Sequence, residues 1–393
     1  MNIRTGTEYT SLERVKTALR HKEPDRVPLD IGGAMVAGIN INSLRNLMAY
    51  WNMDEEVHLW DRVTQLARTP ESLMARMGID VINIGPGAPS TPGMSKDIWL
   101  DEGYCKLIDE FGIGWRMPET GGHYYDLYQH PLANAESVKD IDSYSWPDPL
   151  DNARFAGIRG KLESNRKNEK RAFVSGRMTA GMWEHATWMM GHEKFFMDMI
   201  LNKPLIHALM EKVLEIKIQY WQKYLEIVGE HALIISTADD IGTQDSLLVS
   251  LDLYKEMIWP YHKRLFEFLK KSAKGKVYIF FHNDGAIYHT IPLLIEAGVD
   301  ILNPWQVNCS GMDNTAKFKK EYGKDLTIWG GSCDATILEF GTCQEVRDET
   351  RRRIEDLAPG GGFIFAPIHI IQGGVPPQNI EAWWETHQLF GDY

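Results

Sequence analysis

Residues 276–285 read KVYIFFHNDG, and this stretch decides the fold class. Its first half is an apolar run of β-branched and aromatic residues without polar alternation, as expected of a strand buried on both faces. Its second half turns polar and ends on a glycine, so His282, Asn283 and Asp284 fall where the strand stops. Seven further runs of the same kind occur at residues 26–31 (RVPLDI), 79–84 (IDVINI), 172–175 (AFVS), 232–236 (ALIIS), 300–303 (DILN), 326–329 (LTIW) and 362–365 (GFIF). Long amphipathic stretches separate them, such as residues 201–228, LNKPLIHALMEKVLEIKIQYWQKYLEIV, in which apolar residues recur at three and four. Eight buried strands alternating with helices predict an α/β protein, a (β/α)8 TIM barrel.

The 393 residues are read as one barrel domain over 1–393, since barrels of this class often carry insertions. The insertion is placed after the second strand, at about residues 85–170, where the chain is turn-rich and carries aromatic β-like patches such as DEFGIGWRM. It is expected to form a hairpin and a lid over the barrel mouth. A net charge of -12 disfavours binding to nucleic acid or to an anionic membrane surface. The four cysteines, Cys105, Cys309, Cys333 and Cys343, form no CxxC pair and fit a reducing, cytoplasmic setting. The opening MNIRTGTEYTSLERVKTALR is polar and then helical, unlike a secretory signal, and no apolar run approaches the ~18 residues that span a bilayer. A homodimer is left open.

Chemistry-bearing residues gather at the C-terminal strand ends, the face on which such barrels place their active sites. The fourth strand runs into Thr237, Ala238, Asp239 and Asp240, the fifth into His282, Asn283 and Asp284, and the sixth into Pro304, Trp305 and Gln306. The seventh runs into Gly330, Gly331, Ser332, Cys333 and Asp334, and the eighth into Ala366, Pro367, Ile368 and His369. A lone histidine in such a place often only satisfies a backbone carbonyl. His282, Asp284, Cys333 and His369 on one face instead suggest a metal site. Asp239 and Asp240 are either helix caps or catalytic carboxylates, and His282 joins them as a catalytic candidate. Trp183, Trp188 and Met189, in a run rich in Met and Trp, are either core or the walls of an apolar substrate pocket. Gln244 and Trp305 are further candidates for substrate contact. Cys309 and Cys343 are read as structural, and the glycines at 360–362 precede a strand, so they are no dinucleotide fingerprint.

Several segments together resemble the uroporphyrinogen decarboxylase-like superfamily, and within it the corrinoid-dependent methyltransferases. They are SLERVKTALRHKEPDRVPLDIGG, DEFGIGWRM, STADDIGTQDSLLVSLDLYKEMIWPYHKRL, FFHNDG, AGVDILNPWQ, WGGSCD and the glycine-rich close from FGTCQEV to VPPQNI. The resemblance covers nearly the whole chain. Decarboxylases of that superfamily carry an arginine-rich segment after the first strand, where this chain has Gly32, Gly33, Ala34 and Met35. Without guanidinium partners a porphyrinogen loses its charge-assisted contacts, so decarboxylation is disfavoured. Thiol-directed methyltransferases of the superfamily hold zinc through a His-x-Cys pair and a later cysteine. The matching residues here are His282, Asp284 and His369, and Cys333 stands where relatives usually have aspartate.

The resemblance therefore implies a zinc-dependent methyltransferase. It would take a methyl group from a small O-methyl donor, a methoxylated aromatic, and deliver it to the cobalt of a corrinoid carried by a partner protein. Two alternatives stay open: methyl transfer from methylcobalamin to a thiol or other acceptor, and a non-catalytic barrel that only binds a corrinoid or tetrapyrrole.

Overall fold

The computed structural model describes residues 9–91, 93 and 96–393, and of residues 168 and 169 only the backbone. The first eight residues, part of the opening read above as unlike a secretory signal, lie outside the described residues.

Each apolar run pairs with the next one along the chain. Val81–Ile84, Ala172–Ser175, Ile234–Ala238, Tyr278–His282, Ile301–Asn303, Thr327–Trp329 and Phe363–Ile364 form one parallel sheet in sequence order. The remaining run, residues 26–31, contains Pro28, which has no N–H to give, and it makes only a single parallel bridge from Leu29 to Phe365. Its backbone still reaches both edges of the curled sheet. Asp80 N–H donates to the Leu29 carbonyl (2.9 Å), Asp30 N–H to the Phe365 carbonyl (2.9 Å) and Phe365 N–H to the Pro28 carbonyl (2.8 Å). The sheet thereby curls into a TIM-like barrel.

Strand residues alternate between two cores, as a pleated barrel wall requires. Val81, Val174, Ile234, Phe280, Ile301, Trp329 and Ile364 pack together inside. Phe173, Ile235, Ile279, Phe281, Leu302, Ile328 and Phe363 pack outward with the helices. Because side chains repeat every second residue, His282 shares the inner face with Tyr278 and Phe280, and Asn303 shares it with Ile301. Both stand at the C-terminal end of the barrel axis.

The helices hold those strand ends in place. The helix Lys203–Val228 buries Leu205, Leu209, Val213, Tyr220 and Tyr224 on one stripe. The Tyr220 hydroxyl donates to the Gly176 carbonyl (2.6 Å), and the Tyr224 hydroxyl donates to the Ile84 carbonyl. The insertion forms a four-stranded antiparallel sheet, Lys96–Asp101, Tyr104–Ile108, Gly114–Pro118 and Asp126–Gln129, larger than the single hairpin expected. It packs on the helix Met182–Met190 through Trp115 against Trp188 (centroids 5.1 Å apart) and Phe111 against His185 (4.3 Å). Among the described residues no helix is long and apolar enough to cross a membrane.

Candidate active site

At the end of the Tyr278–His282 strand the chain turns, so that His282 and Asp284 point one way and Asn283 the other. Asn283 is spent on structure: its Oδ1 accepts from Ile241 N–H (3.0 Å) and its own N–H donates to the Asn303 carbonyl (2.7 Å). His369, just beyond the eighth strand, lies across from the pair, with ring centroids 5.6 Å from those of His282. The ligand atoms of His282, Asp284 and His369 all lie within 4.8 Å of one another. Asp284 Oδ2 is 3.8 Å from His282 Nε2 and 3.6 Å from His369 Nε2. Asp240 closes the group: its Oδ1 accepts from Asp284 N–H (2.7 Å) and lies 3.9 Å from His282 Nε2.

Hydrogen bonding assigns the His282 tautomer. Asn303 Nδ2 donates to the Trp329 carbonyl (2.7 Å), so its Oδ1 is the atom that meets His282 Nδ1 at 2.7 Å. Nδ1 must therefore carry the hydrogen, which leaves the Nε2 lone pair facing Asp284 and Asp240. Burial, followed by the nearby Arg177 charge, lowers the His282 pKa to about 3. Burial, then the neighbouring His282, lowers that of His369 to about 4. Both rings are neutral, as metal ligands need to be. Burial, then the Asp240 and Glu184 charges, raises the pKa of Asp284, and burial also raises that of Asp240. Asp284 Oδ1 is buried without a hydrogen-bond partner. Two imidazole nitrogens, a carboxylate crowded by like charge and an unpartnered oxygen fit a divalent cation with an open coordination position.

The cluster opens on a cavity of about 420 Å³. Asp240, His282 and His369 form one side, and Trp115, Tyr125 and Trp188 supply aromatic walls, the first two of them from the insertion. Arg177, Met178 and Glu184 join the lining from the third strand end and the helix after it, and Asp61 faces it as well. Burial, then the charges of Asp240 and Asp239, raises the Glu184 pKa to about 8.

Comparison with known proteins bears on what such a site belongs to. Residues 108–389 match the family model described as uroporphyrinogen decarboxylase (URO-D), most of the chain. The chain belongs to the URO-D family. Within reach of it, the uroporphyrinogen decarboxylase of Alkalilimnicola ehrlichii is 25% identical over 299 residues, 73% of this chain and 74% of its own length. The methylated-thiol–coenzyme M methyltransferase of Methanosarcina mazei is 20% identical over 262 residues, 66% of this chain and 65% of its own. A solved methyltransferase structure from Methanosarcina mazei superposes with a TM-score of 0.66 over 98% of this chain and 99% of that one, at 16% identity, which shows the shared fold.

Of the residues singled out in the sequence, His282, Asp284, His369 and Asp240 come together, and Trp188 lines the cavity. The others stand elsewhere. Asp239 is fully buried, and its carboxylate is taken up by the N–H groups of Met182 (2.9 Å), Trp183 (2.8 Å) and Glu184 (2.8 Å) and by His262 Nε2 (2.5 Å), so it caps a helix. Cys333 lies outside the cluster, its Sγ 3.5 Å from the Asp334 carbonyl, and burial raises its thiol pKa. Trp183 and Met189 are core, with Trp183 packed on Phe195. Trp305 is buried against Phe318 and donates to the Met312 carbonyl (2.5 Å). Gln244 braces the loop after Trp305: its backbone carbonyl accepts from Ser310 N–H (2.9 Å) and its side-chain amide donates to the Asn308 carbonyl. Arg177 and Glu184, with the wall residues Trp115 and Tyr125, are lining residues that the sequence did not single out. Arg177 had a signal, since it follows the third strand as His282 ends the fifth.

Proposed function

We propose that the protein is a methyltransferase that takes a methyl group from a methoxylated aromatic and passes it to the cobalt of a corrinoid held by a partner protein. The observation that carries this reading is the His282–Asp284–His369 cluster opening directly onto a cavity walled by Trp115, Tyr125 and Trp188. His282, Asp284 and His369 would hold zinc, which supplies Lewis-acid polarisation of the ether oxygen. Aromatic walls orient a flat ring and keep water from the reacting bond. The O–CH3 bond breaks with its electron pair left on the aryl oxygen, and the methyl group becomes bonded to the reduced cobalt. Porphyrinogen decarboxylation is disfavoured by the lining: Asp61, Glu184 and Asp240 face the cavity, and among the described lining residues Arg177 is the sole guanidinium or ammonium group.

A second reading, methyl transfer involving a thiol, draws on the methylated-thiol relative. The absence of a cysteine from the described cluster counts against it, because the ligand set is nitrogen and oxygen. One assay separates the two. The zinc-loaded protein is mixed with cob(I)alamin and a panel of methoxyphenols, methylamines and methylthiols, and methylcobalamin is followed by absorbance. Methylcobalamin formed from the methoxyphenols supports the aryl-ether reading. Formation from thiols or amines alone refutes it, and consumption of methylcobalamin by an added thiol reverses the direction.

A further inference from the structure

Arg177 stands in the cavity without a use in the chemistry above. It lies two residues past the Ala172–Ser175 strand, and Nη1 is buried with no hydrogen-bond partner. Among the described residues it forms no ion pair, although Asp240 and Glu184 are near enough to feel its charge. Arg177 as a whole is half-buried, but a guanidinium nitrogen taken from water and left unmatched is costly, and a fold keeps one where something else completes it. Lys217, the other cation of this region, is by contrast committed: its ammonium donates to the Ala180 carbonyl. Arg177 shares the cavity with Trp188 and Trp115, whose rings meet edge to face at an interplanar angle of 87°.

We propose that Arg177 is an anion subsite and that the methyl donor is an aromatic ether bearing one carboxylate, held on the Arg177 fork while its ring lies among Trp115, Tyr125 and Trp188. A planar carboxylate matches the guanidinium and completes Nη1. Among the described lining residues no second guanidinium or ammonium group is present, so a second carboxylate finds no charged partner and the site takes a monoanion and not a polycarboxylate. The inference rests on the methyl-transfer reading for the reacting group, but the subsite can be measured without turnover.

Binding of 3-methoxybenzoate and of its neutral methyl ester to the zinc-loaded protein is compared by calorimetry, in wild type, Arg177→Gln and Arg177→Lys. The acid is expected to bind wild type about 10- to 100-fold more tightly than the ester. Arg177→Gln should erase that preference with little effect on the ester, and Arg177→Lys should restore part of it. The wild-type comparison stands even if a variant fails to fold. Equal binding of acid and ester to wild type overturns the proposal, as does an acid preference that survives in Arg177→Gln. Arg177-dependent acid binding with no methylcobalamin from any ether leaves the subsite standing and removes the methyl-transfer reading. Methyl transfer from neutral ethers together with indifference to Arg177 does the reverse.

Discussion

Asn303 lies outside the His282–Asp284–His369 cluster, yet it sets which nitrogen of His282 faces that cluster. By donating to the Trp329 carbonyl it fixes which of its own atoms faces His282, and so which imidazole nitrogen is free. Asn303→Ala is expected to leave the barrel folded, at a cost of about 1–2 kcal/mol for lost hydrogen bonds, and to weaken zinc affinity about 10- to 100-fold. Competition with a chromogenic chelator measures this, and unchanged affinity would refute the assigned tautomer role. At this scale the sequence was informative about His282, Asp284 and His369, because polar residues closing apolar runs are conspicuous. It could not separate Asp239 from Asp240. Adjacent residues at a strand end point to opposite sides, and only the packing shows that three helix N–H groups converge on Asp239. The geometry also forbids a side chain at Gly181, where a Cβ would sit 1.9 Å from Asp239 Oδ1.

The C-terminal helix Pro377–Phe390 illustrates what holds an element to the barrel. It lays Trp383 flat on Phe365 (centroids 4.5 Å apart) and His387 beside the same ring (4.6 Å). His387 Nε2–H donates to the Val27 carbonyl (2.9 Å), which ties the helix to the first run of the barrel wall. Burial, then the Arg26 charge, lowers the His387 pKa to about 4. The unfolded chain takes up this proton near pH 6.5, whereas the folded chain does so only near pH 4. Stability from this group is therefore full above about pH 6.5 and is lost as pH falls towards 4, by roughly 3 kcal/mol. The difference in unfolding free energy between wild type and His387→Gln, measured in urea across pH 4 to 7, should shrink by that amount at the acid end. A pH-independent difference would contradict it. The helix Lys203–Val228 was legible from its periodicity. The strand faces were not, because a wall packed on both sides reads as one apolar run and hides which residues, Phe280 or Phe281, look inward.

Closure of the whole barrel depends on its least regular part. Residues 26–31 make only isolated bridges, Leu29 to Phe365 in parallel and Arg26 to Asp392 in antiparallel, and the ring is held there by side chains where a longer ladder would otherwise serve. Asp80, fully buried at the foot of the next strand, accepts from Arg14 Nη1 (2.6 Å), Arg26 Nη1 (2.8 Å) and the Leu29 N–H (2.9 Å). Arg14 also grips Asp25 through Nε (2.7 Å) and Nη2 (2.6 Å). One carboxylate thus joins the helix Ser11–Ala18 and the closing segment to the second strand, more than fifty residues further on. None of this was visible beforehand, since an aspartate second in the run IDVINI looks like a solvated strand end. Removing the carboxylate takes the ion-pair partner from Arg26 and one of two from Arg14, which keeps Asp25, and breaking a buried pair costs about 3–5 kcal/mol where replacing a whole ion pair by apolar residues often costs nothing. Asp80→Ala is therefore expected to lower the urea midpoint by that equivalent and to speed amide exchange at Asp30, Asp80 and Phe365, the three N–H groups that seal the ring. Exchange along Tyr278–His282, across the barrel, should change far less, and the His282 cluster should keep its metal affinity in the variant's folded fraction. A uniform rise in exchange over all strands would mean that Asp80 supports global stability alone, and that the backbone bonds of residues 28–30 close the barrel without it.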